Sequence, residues 1–208
     1  RNGYTKVALL LLTNGAAVDQ ATDFGVTALK LACRDNKLSC VQLLSSYGAS
    51  RTFALHFQPG TVEEQTAEES AELGGDDEVF DWLTSSRLWS TPLHHLTIID
   101  ATRARELLRS GADLHAVAVA DGPTPLSLAL DLDTAGNAAE GTAARLVLRA
   151  AGRWSEETHE LFPVDARARA VELLLLGYRL SREVRFSGQE MALVDAWMHY
   201  VMPHAVRC

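Results

Sequence analysis

The feature that most constrains this chain is a phrase that returns about every 33 residues: a threonine-led turn, an apolar stretch, then Gly-Ala. Gly15-Ala16 and Gly48-Ala49 stand 33 residues apart, and Gly111-Ala112 repeats the ending further on. TALKLAC opens at Thr27, TPLHHL at Thr91 and TPLSLAL at Thr124. Self-similarity at such a period means one small supersecondary unit used repeatedly, each copy unable to bury its apolar face without its neighbours. A chain of this kind is expected to stack and to offer an extended surface for a partner.

The unit over 22–51 shows the pattern most fully. Gly25 supplies a turn, Thr27 starts an inner helix, and Ala32 is the small residue where two helices meet. Val41, Leu43 and Leu44 pack an outer helix that Gly48 ends. TAEESAELGGDDEVFDWL, from Thr66, aligns with that unit without a gap: Thr66, Ala71, Gly75, Phe80 and Leu83 take the places of Thr27, Ala32, Asn36, Val41 and Leu44. The offset is 39, so about six residues are inserted ahead of it, in a finger over 52–62 that carries Phe53, His56 and Phe57. The next unit has lost one residue before Gly111, and the one after carries about seven extra between Leu132 and Thr142, with the composition of a loop.

The period and the TPLH wording resemble the ankyrin repeat family over Gly3 to Gly152. The resemblance implies an all-α fold: an ankyrin-repeat helical solenoid with β-turn or hairpin fingers. Residues 1–152 would form the stack, in units of about 1–21, 22–51, 61–86, 87–120 and 121–152. Residues 153–208 would form a degenerate repeat and a helical C-terminal cap. In that tail an outer helix is expected over 165–176, a worn return loop at 177–180, and an amphipathic helix from Gly188 that stops before Pro203. That last helix holds all three methionines, so a partner-binding role stands beside the capping one. In TPLH the resemblance also implies a structural imidazole at His94, tying neighbouring turns by hydrogen bonds.

Family members bind through finger tips and the exposed positions of inner helices. Carried onto this sequence, that surface includes Phe24, Arg34 and Asp35, then Arg87, Leu88, Trp89, Ile98 and Ile99, then Asp121 and Leu132. Ile98 and Ile99 are the only isoleucines in the chain, and Trp89 stands where other units have glycine. Binding energy concentrates in aromatic, arginine and apolar centres, which makes residues 87–89 with 98 and 99 the expected anchor. The opposing expectation is that the shortened unit turns these side chains into the core. Trp82, at a buried leucine position, is expected in the core.

Charge and motif content narrow the function. The 208 residues carry a net charge of −8, against a phosphate-binding surface. Nine acidic residues and no Lys or Arg fall between Thr52 and Ser86, a solvated face or a docking site for a basic partner. The runs VALLLL from Val7 and VELLLL from Val171 are far shorter than the ~20 residues of a membrane span. Three scattered cysteines point to a reducing, intracellular compartment, cytoplasmic first, with nuclear or organellar sites open. Cys33 and Cys40 are expected as packed free thiols. The chain starts at Arg1 inside a repeat, as a fragment or processed form would.

No phosphate-cradling glycine loop, nucleophile elbow or metal-spaced histidine set is present. No catalytic residue, cofactor or metal is therefore expected. The expected function is a non-catalytic scaffold or adaptor that binds a protein partner; the alternative is a permanent assembly subunit of a large complex. Attachment to a membrane complex through a protein partner is compatible with both. A ubiquitin-ligase recruiting role finds no recognisable helical box after Ser187.

Overall fold

The computed structural model describes residues 4–55, 63–75 and 77–206. Helices account for most of it, and the strands among the described residues form one short pair, so the chain is all-α in class. It divides into two compact units. One comprises the residues up to Ile99 together with Ala116–Pro123; the other comprises Asp100–His115 together with the residues from Thr124 on.

The first unit contains α1 (Thr5–Thr13), α2 (Ala28–Arg34), α3 (Leu38–Ser46), strands β1 (Thr52–Leu55) and β2 (Glu63–Thr66), α4 (Ala67–Gly74) and α5 (Asp77–Ser85). Threonines start the inner helices by supplying an acceptor to otherwise unpaired amides. Thr27 Oγ1 accepts from Lys30 N at 3.3 Å. Thr66 and Glu69 form a reciprocal capping box, with Glu69 Oε2 2.7 Å from Thr66 N. The Gly-Ala dipeptides end helices for an equally local reason. Gly15, Gly48 and Gly111 all have φ near +84°, which a Cβ resists. The alanine N–H then reaches back five residues, Ala16 to Leu11, Ala49 to Leu44 and Ala112 to Leu107.

The gap-free alignment of the two helix pairs has a backbone counterpart. Asn36 and Gly75, at matching positions, are both left-handed, at φ 52° and 71°. Ala32 with Ala71 and Leu44 with Leu83 are buried in one core beside Leu29, Val41 and Phe53. The match slips at one place: Val79, not Phe80, is the buried counterpart of Val41. β1 and β2 pair antiparallel, with Phe53 opposite Gln65, and the Phe53 side chain is buried. His56 and Phe57 lie outside the described residues.

The segment after Thr91 departs from expectation. Instead of an inner α-helix there is one 3₁₀ turn, Pro92–His94, followed by turns up to Ile99. Its threonine stands one residue closer to the next Gly-Ala than Thr27 does, and the tighter, longer-rise 3₁₀ turn covers the distance with fewer residues. Leu93, His94, His95 and Leu96 are all buried.

The second unit pairs α6 (Ala101–Arg109) and α7 (Pro125–Thr134) with α8 (Ala143–Ala151). Asp100, Thr124 and Thr142 cap them, and the extra residues between α7 and α8 form a loop with left-handed Gly136 and Gly141. Two expectations for the tail are corrected. GYRL is no return loop, because α9 runs unbroken over Val164–Ser181. Gly177 is there for close approach: a Cβ would lie 2.7 Å from the Trp197 ring. The last helix also passes Pro203. After α10 (Glu190–Ala196) a wide π turn over Trp197–Val201 resets the hydrogen-bond ladder, and Pro203 falls in the first turn of α11 (Met202–Ala205), where its missing N–H is not needed.

Gly74 lies close against the end of α2. A Cβ there would lie 2.6 Å from the Arg34 carbonyl oxygen and 3.1 Å from that of Cys33. Asn36 Nδ2 donates to the Gly74 carbonyl at 2.8 Å across the same seam. Gly74→Ala is expected to destabilise the protein by about 1–3 kcal/mol in chemical denaturation, despite the better helix propensity of alanine.

Candidate protein interface

In the first unit an interface has to be built from side chains left exposed once the helix pairs close. Phe24 is the clearest. It tips a turn in which Gly25 N donates to Thr22 O at 2.8 Å and Thr22 N to Val26 O at 3.1 Å, and it remains 68% exposed. At the end of α2, Arg34 Nε donates to Asp35 Oδ1 at 3.0 Å. That pair is half-buried, so part of its charge is already spent locally.

The expected anchor divides. Arg87 is exposed and Leu88 is 37% exposed, while Trp89 is half-buried. Trp89 meets Trp82 edge-on at 6.2 Å and His95 edge-on at 5.0 Å, and Trp82 and His95 lie 5.9 Å apart. Trp82, expected in the core, is itself only half-buried within this cluster. Ile99 is buried at 8% exposure and Ile98 is half-buried, so the shortened unit does turn this end inward. Asp121 is exposed at the tip of the turn that Gly122 N closes on Val119 O, and it takes a left-handed φ of 62°. Leu132 belongs to the second unit, where it is half-buried on α7.

Arg51 and His95 complete the aromatic cluster and were not singled out by the sequence. Arg51 Nη1 donates to the Leu83 carbonyl at 2.9 Å, Nη2 to Ser86 Oγ at 2.8 Å, and its guanidinium lies 5.5 Å from the Trp82 ring centroid. A cation fits there because it faces the carbonyl end of α5 and an aromatic face. His95 is 2% exposed with no hydrogen-bond partner for Nδ1. Burial, then the charges of Arg51 and His94, push its imidazole down to about 3. The ring is therefore neutral and packs as an aromatic. The only sequence signal for this cluster is two tryptophans and a histidine within 14 residues, which does not say that they meet.

Reactive chemistry finds little to build on. Cys33 and Cys40 are buried free thiols, and burial pushes Cys33 up to about 12, which keeps it from forming a nucleophilic thiolate. Among the described residues no three His, Cys, Asp or Glu side chains gather as a metal site, and no helix is long and apolar enough to cross a membrane. No family model matches the chain, and no curated protein matches it.

The two halves of the expected anchor should separate on substitution. Ile99→Arg buries an unpaired charge and is expected to cost about 3–5 kcal/mol in thermal or chemical unfolding. Leu88→Glu, at the surface, is expected to stay within about 0.5 kcal/mol of the parent.

Proposed function

We propose that this chain is an ankyrin-repeat protein-interaction module, a non-catalytic scaffold or adaptor. The observation that carries the proposal is the repeated construction of its helix pairs. Three inner helices, α2, α4 and α7, each begin on a threonine cap and each pack with the helix that follows. Left-handed Gly15, Gly48 and Gly111 close helices in both halves of the chain. The antiparallel pair of β1 with β2 and the turn at Thr22–Val26 are compatible with the fingers of such a family. Scaffold residues of this kind build a surface and do no chemistry of their own, so function falls to the side chains the scaffold leaves outside.

Within the first unit those include Phe24 at a finger tip and the exposed pair Arg87 and Leu88 beside the half-buried Trp89. An aromatic held rigid by its neighbours loses little entropy on binding, and an apolar edge with an arginine matches the make-up of binding hot spots. Phe24 and the Leu88 edge are proposed as partner-contacting positions.

The test is quantitative affinity purification of the native protein against a Phe24→Glu/Leu88→Glu variant of equal thermal stability. The proposal expects one or more proteins to be recovered with the parent and depleted about tenfold or more with the variant. Equal recovery with both would reject these positions, and an activity on small-molecule substrates that survives in the purified chain would reject the non-catalytic role.

A further inference from the structure

Gly15-Ala16 and Gly48-Ala49 close α1 and α3 with the same left-handed glycine and the same alanine hydrogen bond, which makes α1 the counterpart of α3 at an offset of 33. α4 is the counterpart of α2 at an offset of 39. α2 packs on both α3 and α4. No helix holds the corresponding place against α1 and α2 among the described residues. An open groove of about 270 Å³ lies there, within the first unit, between Val7, Ala8 and Leu11 of α1 and Ala28 and Leu31 of α2, with Lys37 also in its lining.

The same chain shows this surface once it is covered. At the two offsets, Ala8, Leu11, Ala28 and Leu31 become Val41, Leu44, Ala67 and Ser70, and all four of those are buried. Val41, Leu44 and Ala67 share one cluster with Leu29 and Cys33 of α2. Leu11 is 56% exposed where Leu44 is 5%, and Ala28 is exposed where Ala67 is fully buried. We propose that the groove binds one further helix of the α2 kind, presented by a partner polypeptide. Its form follows from α2: about two turns, begun on a threonine cap, with a leucine in the first turn and small residues three and four positions later, as Thr27, Leu29, Ala32 and Cys33 are placed. Leu31 stands where the covered surface has Ser70, so the partner side chain above it is apolar.

Charge complementarity sets the direction. α2 and α4 end side by side, with the Cys33 and Arg34 carbonyl oxygens against Gly74. A helix laid on α2 in the same sense brings its carbonyl end towards Lys37, three residues beyond the end of α2, and a helix carbonyl end favours a cation. The groove thereby continues the packing of α2 on α4 by one more helix. One difference limits the fit: Asp35 occupies the place that Gly74 has on α4, so the last turn of the partner stands further off than α2 does. The groove shares no residue with the Phe24 and Leu88 surface, so either proposal stands or falls without the other.

The test is a ¹⁵N NMR titration of the full chain, under reducing conditions, with a synthetic peptide of residues 22–36 as the probe. So short a helix must order as it binds, which puts the expected dissociation constant on the order of 1 mM. Amide shifts are expected along 7–11 and 28–31. Leu29→Glu in the peptide and Leu11→Glu in the protein are each expected to weaken binding about tenfold or more. Ala28→Trp, which fills the groove from an exposed position, is expected to do the same and decides the matter if Leu11→Glu loses helix content by circular dichroism. Absence of shifts at about 5 mM peptide overturns the proposal, as do shifts centred elsewhere or binding indifferent to these substitutions. Sedimentation velocity on the parent alone is expected to show a monomer; a dimer that Leu11→Glu abolishes would make a second copy the occupant and overturn the partner helix.

Discussion

His94 is held between the amide of Thr91, 3.2 Å from Nδ1, and the carbonyl of Pro123, 3.1 Å from Nε2, and the path of the chain on both sides follows from that bridge. A carbonyl can only accept and an amide N–H can only donate, so Nε2 carries the proton and Nδ1 the lone pair. Thr91 Oγ1, 2.8 Å from Nδ1, adds a second contact to the same nitrogen. One neutral ring thus sets the entry into the shortened 91–99 segment and draws the 116–123 turn back into the first unit, although 16 residues of sequence between them belong to the second. Burial lowers the affinity of the ring for a proton, and hydrogen bonds to Pro123, Thr91 and Ala116 oppose that only in part.

Beside that bridge, small residues decide how closely the helices approach one another. Ala32, Ala67 and Ala71 let α2 and α4 approach, and Gly74 brings their ends to within a Cβ of collision. Interiors packed to crystal density have no slack for an added methyl at such a seam. The aromatic cluster of Trp82, Trp89 and His95, pinned by Arg51, then turns a structural feature into a partly exposed edge beside Leu88.

Much of the architecture was legible in the sequence because the signals were local. A threonine three residues before an amide it caps, and a glycine at the left-handed end of a helix, act within one turn of chain. The 39-residue offset placed α4 and α5 correctly for the same reason. Local signals misled where a tertiary contact took over. Gly177 read as a loop residue but serves the Trp197 ring, and Pro203 read as a stop but falls in the first turn of α11. The candidate interface was legible only in part. Phe24, Arg87 and Leu88 are exposed as their places in the sequence pattern suggest, whereas the burial of Ile99 and the meeting of Arg51 with Trp82, 31 positions apart, depend on tertiary packing.

The most direct check on this account is a pH titration of the histidine side chains by ¹⁵N NMR. The predicted result is a His94 ring in the Nε2–H tautomer at pH 7 that stays neutral below the usual imidazole pKa of about 6.5. Because its folded pKa is depressed, the stability it contributes is present above that value and is lost as the pH falls through the lowered one. Unfolding free energy should decline over the same acid range, less steeply in His94→Asn. A His94 ring in the Nδ1–H tautomer, or one titrating near 6.5 with no loss of stability, would contradict the bridge and the chain path built on it.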